Sequence, residues 1–121
     1  MRIQSWHRWT CAVTYAALIF VASSLPAASL PHPGLWRFDK LLHFGAFFGL
    51  GVLVMWAWRR YFASVAMGTL YGVLDELHQR LTPGRDASAF DALWDLAGCA
   101  VGACACWLWL RSRRARRSNA G

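Results

Sequence analysis

The sequence predicts an all-α fold, an integral membrane bundle of about four transmembrane helices, and three observations predict it. Apolar residues make up 57% of the 121 residues and charged ones only 16%, too apolar a mixture for a soluble domain of this length. The apolar residues fall in blocks rather than amphipathic stripes, each roughly 17–21 residues long, enough to cross about 30 Å of hydrocarbon. The eight tryptophans, Trp6, Trp9, Trp36, Trp56, Trp58, Trp94, Trp107 and Trp109, all stand near block ends, where an aromatic belt meets the membrane interface.

The first block spans residues 9–25. Arg2 and Arg8 precede it and Ala27-Ala28-Ser29 follows, so a cleaved signal peptide is its rival reading; the length of the apolar run and the imperfect Ala-x-Ala pattern favour a retained helix. The second block covers 41–58. The third, 61–77, ends in Asp75-Glu76, which a short or tilted helix can place at the interface. The fourth covers 90–110 and leads into a basic tail over 111–121. The whole chain reads as a single domain, with no linker, repeat or low-complexity segment to divide it.

Turn chemistry connects the blocks at Ser29-Leu30-Pro31-His32-Pro33-Gly34 and Thr82-Pro83-Gly84, and a tight turn at Arg59-Arg60 makes the second and third helices neighbours. Gly45-x-x-x-Gly49, Gly68-x-x-x-Gly72 and Gly98-x-x-x-Gly102 place paired glycines on one face of the second, third and fourth helices. These three are expected to form a close-packed core, with the first helix at its periphery. The four cysteines, Cys11, Cys99, Cys104 and Cys106, lie inside the blocks without Cys-x-x-Cys spacing, and are expected to pack as small apolar side chains.

Basic residues set the orientation. Arg2, Arg8, Arg59, Arg60, Arg111, Arg113, Arg114, Arg116 and Arg117 fall on one side of the blocks, and Arg37, Lys40, Arg80 and Arg85 on the other, nine against four. The richer side should be cytoplasmic, with both termini inside and the 29–40 and 79–89 loops outside. The expected location is the bacterial cytoplasmic membrane, in a multi-pass arrangement. A net charge of +7 invites a nucleic-acid reading, but a juxtamembrane Arg tail is explained by topology and anionic lipid headgroups, so no nucleic acid is expected.

All six acidic residues, Asp39, Asp75, Glu76, Asp86, Asp91 and Asp95, gather at the opposite, outer side. Residues four apart share a helix face, which pairs Asp39 with His43, Glu76 with Arg80, Asp75 with Gln79 and Asp91 with Asp95. His43, Glu76 and Asp95 lie about a turn or less inside a block, where a charge needs partners and marks a site by default. Asp39 also reads as an N-cap and Ser88-Ala89-Phe90-Asp91 as a capping box. Arg80 suits a helix C-terminus, Asp86 solvated surface. Candidate catalytic groups are His43, Glu76 and Asp91. Candidate binding groups are Asp39, Lys40, Gln79, Arg85 and Asp95, of which Lys40, Gln79 and Arg85 suit a phosphate, carboxylate or sugar hydroxyl. No metal signature such as His-Glu-x-x-His is present, and no metal or other cofactor is expected.

The stretches FDKLLHFGAFFGLG from Phe38 to Gly51 and YGVLDELHQRLTPGRDASAFD from Tyr71 to Asp91, with the small-residue run Gly98 to Gly102, resemble the VanZ-like family of bacterial membrane proteins. The resemblance covers about the last two-thirds of the chain and rests on the order of Asp39-Lys40-x-x-His43, Glu76-x-x-Gln79, Arg85 and Asp91. It departs at Asp95, where the family pattern usually has Asn. The family is named for a member linked to resistance to the glycopeptide antibiotic teicoplanin, which supplies a context and not a reaction. The first expectation is therefore a cell-envelope protein whose outward polar cluster binds an amphiphile, lipid headgroup, cell-wall precursor or glycopeptide. A membrane-embedded acid/base hydrolase or transferase acting on a lipid-linked substrate is the alternative, and a small transporter subunit, with homo-oligomerisation building its pore, a third.

Overall fold

The computed structural model describes residues 2–29 and 39–121; the expected turn at Pro31–Gly34, with Trp36 and Arg37, lies outside the described residues. Four helices account for nearly all of it: α1 (Arg2–Ser24), α2 (Asp39–Trp58), α3 (Tyr61–Gln79) and α4 (Ala89–Asn119), with a short 3-10 turn at Ala27–Ser29 and no strand among the described residues. The first and fourth exceed their apolar blocks by about two turns. Apolarity marks what a bilayer would cover, and a helix continues past that limit into its Arg-rich flank because arginine is a good helix former. Trp107 and Trp109 consequently lie well inside α4 rather than at its end.

Helix ends follow local chemistry. Ser88 caps α4 by accepting from the Phe90 N–H at 3.1 Å. The expected reciprocal half of that capping box is supplied from elsewhere: the Ser88 N–H donates to Glu76 Oε2 at 3.2 Å, and Asp91 pairs instead with Lys40. The α2–α3 turn is as tight as expected, with Arg59 at φ 64, in the left-handed position usually given to glycine. Its N–H reaches the Met55 carbonyl and its Nε the Trp56 carbonyl, each at 2.9 Å, which caps α2.

The closest packing joins α2 to α4, not to its sequence neighbour α3. The two run parallel: Lys40 meets Asp91 at one end, and Met55 packs with Ala103 and Cys106 towards the other. A β-carbon at Gly98 would come within 3.0 Å of the Phe44 carbonyl carbon, and one at Gly102 within 2.8 Å of that of Phe48. On the other side of the seam Gly51 faces the Cys99 backbone in the same way, at 2.9 Å. Glycine lets these backbones touch. The expected Gly45/Gly49 pair does not serve this seam: Gly45 has open space around it and Gly49 faces the Tyr15 ring of α1.

Cys99 is fully buried beside Gly68, and Cys106 is buried, as small apolar side chains; Cys11 is exposed. α1 packs across α2 and α3, with Trp9 against Trp58 and the Tyr71 hydroxyl donating to the Ala16 carbonyl. The outer surface is strongly apolar, with Phe62 85%, Leu81 82% and Leu41 62% exposed. Of the four helices, α2 and α4 are long and apolar enough to cross a membrane.

Candidate functional site

The ends of α1 and α3 and the beginnings of α2 and α4 meet at one end of the bundle, and the acidic residues gather there. The seam sets their register. Because Gly98 rests on the Phe44 backbone, Asp95, nearly one turn earlier on α4, stands beside His43, and Asp91, one further turn away, stands beside Lys40. His43 Nδ1 is 2.8 Å from Asp95 Oδ1 and 3.6 Å from Glu76 Oε1, while its Nε2 is 3.7 Å from Asp39 Oδ1. One imidazole therefore has a carboxylate from each of α2, α3 and α4 within 4 Å. Lys40 Nζ lies 3.3 Å from Asp91 Oδ1, with the lysine half-exposed and the aspartate buried.

Burial is deep for such polar groups. Asp95 is fully buried, and Asp75, Glu76, Gln79 and Asp91 are each at most 5% exposed. Gly72 of α3 makes room for Asp95, whose Oδ2 would lie 3.2 Å from a β-carbon there. Asp95 Oδ2, Glu76 Oε1 and Asp75 Oδ1 are buried without a hydrogen-bond partner.

A second group of side chains faces α1. Gln79 Nε2 donates to Asp75 Oδ2 at 3.1 Å and to Ser23 Oγ at 3.4 Å, and an Arg85 guanidinium nitrogen donates to the Ala22 carbonyl at 3.1 Å. These residues close the polar end of a cavity of about 440 Å³ between α1, α2 and α3. Asp39, His43, Asp75, Gln79, Arg85 and Ser23 line that end, and Tyr15, Leu18, Ile19, Leu42, Ala46 and Phe47 supply apolar walls. His43 belongs to both groups, with its ring in the cavity wall and its Nδ1 turned to the buried carboxylates.

The eight residues singled out from the sequence thus divide. Asp39, His43, Gln79 and Arg85 line the cavity, while Lys40, Glu76, Asp91 and Asp95 stand behind it against α4. Two of the local pairings are present, Asp39 with His43 and Asp75 with Gln79. Asp91 and Asp95 instead each face a different α2 partner. The sequence does not single out Ser23 or Tyr15, and it pairs Asp75 with Gln79 without making it a candidate site residue. Ser23-Ser24, a polar pair closing the first apolar block, was the available signal for the part played by α1. His78 turns to α1 as well, stacked on Phe20 and 2.8 Å from Ser24 Oγ, outside the carboxylate cluster.

The same positions are those by which the chain resembles a known family, and a family model described as VanZ/LLP1 matches residues 3–110, nearly the whole chain and not its last two-thirds alone. The chain belongs to the VanZ/LLP1 family. Neither a curated protein nor a solved structure matches it. As a VanZ-like protein it carries its acidic cluster and its cavity wholly within the family segment, whereas the Arg-rich end of α4 extends past it.

Proposed function

We propose that the protein is a four-span protein of the bacterial cytoplasmic membrane, with both termini in the cytoplasm, that receives an amphiphile in the cavity between α1, α2 and α3. The cavity carries this reading: apolar walls lead to one polar end holding a guanidinium, an amide, an imidazole and two carboxylates. Ligand pockets of a few hundred Å³ with a few convergent polar groups take molecules of that character. The acyl or aryl part would lie along Leu18, Ile19, Ala46 and Phe47, and a lipid headgroup, cell-wall precursor or glycopeptide sugar would meet Gln79 and Arg85. Four spans are supported by the apolar exterior and by Arg–Trp stacking at the opposite end. There Arg8 lies over Trp56, Arg111 over Trp107 and Arg113 over Trp109, at 5.4, 5.3 and 4.7 Å, the arrangement of a basic aromatic belt.

Purified protein in detergent, melted with anionic phospholipids, lipid-linked cell-wall precursors or teicoplanin, tests the reading. At least one class should raise Tm, and Leu18→Trp, which fills the cavity wall, should remove that rise. No shift with any of them, or an equal shift in Leu18→Trp, would discard it.

A second reading, hydrolysis or transfer on a lipid-linked substrate, is favoured by the His43–Asp95 hydrogen bond. An imidazole oriented by a buried carboxylate at the wall of a pocket is the arrangement of a general base. Glu76→Gln and His43→Ala would then abolish product formation from the amphiphile that binds. Full turnover in both would remove this reading and leave binding intact.

A further inference from the structure

We propose that His43, Glu76 and Asp95 hold a divalent metal ion of the zinc or manganese kind, bound between α2, α3 and α4 through one imidazole nitrogen and two carboxylate oxygens. The three donor atoms lie within 4.8 Å of one another. An ion about 2.1 Å from each of two donors, at angles of 90–109°, separates those donors by about 3.0–3.4 Å. His43 Nδ1 stands 2.8 Å from Asp95 Oδ1 and 3.6 Å from Glu76 Oε1, so the two nitrogen–oxygen separations bracket that range and the carboxylates would turn towards the ion to complete it.

The orphaned oxygen of Glu76 is the independent sign of a ligand. Glu76 Oε1 is turned to His43 with no hydrogen-bond partner on a side chain only 5% exposed; Asp95 Oδ2, on a side chain with no exposure, also lacks one, but it lies on the Gly72 side and not among the three donor atoms. A buried carboxylate oxygen without a donor is costly, and a cation beside Glu76 Oε1 removes that cost. Lys40 does not fill this role, because it is spent on Asp91 at 3.3 Å. That pairing also separates the three ligands from the neighbouring Asp39, His43 and Asp91 group, which already has a cation.

The surroundings fit a metal centre in other respects. Glu76 is fixed through its second oxygen by the Ser88 N–H, which leaves Oε1 for the ion. Asp39 stands 3.7 Å from Nε2, the place of the outer carboxylate that orients a ligating histidine. One nitrogen and two oxygens without thiolate suit zinc or manganese better than a soft metal. No short motif announces the site, because each ligand comes from a different helix.

The test uses full-length protein freed of any purification tag, stripped with a chelator, equilibrated with Zn²⁺ or Mn²⁺ and dialysed before elemental analysis. About one ion per chain should remain, with a raised Tm. His43→Ala, Glu76→Gln and Asp95→Asn should each retain at least tenfold less, whereas His78→Ala, a histidine at the same end outside the cluster, should match wild type. Circular dichroism and monodisperse elution select the folded variants, and Glu76→Gln, which preserves shape and an acceptor for Ser88, serves if another fails. With Mn²⁺, electron paramagnetic resonance should show a nitrogen coupling that disappears in His43→Ala. Folded wild type that retains no ion, or equal retention in Glu76→Gln, overturns the proposal. The amphiphile reading does not depend on it: Leu18→Trp touches no ligand, and should empty the cavity while leaving the ion bound.

Discussion

Helix α2 meets α4 and α1 by different means. Against α4 the contact is backbone on backbone: Gly98 and Gly102 rest on the Phe44 and Phe48 peptides, and Gly51 on that of Cys99. Against α1 it is made of side chains, with Tyr15 over Gly49 and Trp9 against Trp58, while Tyr71 of α3 and Thr82 in the turn after it reach the α1 backbone. The first seam is closed where these glycines sit and opens only beyond them, at an apolar groove between Val52, Trp56, Ala105 and Trp109, whereas the second borders the polar-ended cavity. A rigid seam is what can hold four carboxylates and an imidazole in register in an apolar surrounding. An interface of side chains can open by rotamer changes and admit a ligand. The protein places its fixed chemistry on one side of His43 and its adjustable volume on the other.

The sharpest way to break that contrast is one substitution, Gly→Ala, made at each seam. At Gly102 the new methyl meets the Phe48 peptide, which cannot move without moving α2. Overpacking of this kind costs about 1–3 kcal/mol, and here it also displaces the register above it. Gly102→Ala should lower Tm most among the variants in this comparison and weaken metal retention, although it lies two turns from Asp95. A stability equal to wild type would show that the seam is softer than its geometry.

At Gly49 the same methyl meets the outer end of the Tyr15 ring, which can swing away. The helix propensity gained, about 1 kcal/mol in favour of Ala over Gly, offsets much of the cost. Gly49→Ala should melt close to wild type yet change amphiphile binding, since Tyr15 lines the cavity. A loss of stability as large as that of Gly102→Ala would erase the distinction between the seams.

The two seams also differ in how far the sequence revealed them. Helices two and three were legible nearly to the residue, 41–58 against Asp39–Trp58 and 61–77 against Tyr61–Gln79, because apolar run and helix coincide there. They diverge at α1 and α4, where arginines continue the helix beyond the apolar block. Pairings within a helix, Asp39 with His43 and Asp75 with Gln79, follow from the 3.6-residue period alone. Pairings between helices, His43 with Asp95, Lys40 with Asp91 and Glu76 with Ser88, depend on which glycine meets which carbonyl. Spacing cannot say that Gly51, and not Gly45 with Gly49, faces α4. The contribution of α1 was hidden for a related reason: its cavity-lining residues are ordinary apolar ones, and only Ser23 is polar.

The effect expected to touch neither ligand binding nor metal lies at the α1 interface and measures how firmly that helix is held. The Tyr71 hydroxyl donates to the Ala16 carbonyl, an oxygen that also accepts within its own helix, so Tyr71→Phe removes one of two partners and leaves no orphan. A hydrogen bond of this kind contributes about 1 kcal/mol, and the ring keeps its packing against Phe47. Tyr71→Phe should therefore lower Tm by a few degrees or less, without change in metal retention. Amide exchange should rise in α1 and stay unaltered in α2 and α4, because the backbone seam does not depend on this hydroxyl. Exchange rising equally in all four helices would mean that α1 and the seam unfold as one unit, and that the two sides of His43 are mechanically one.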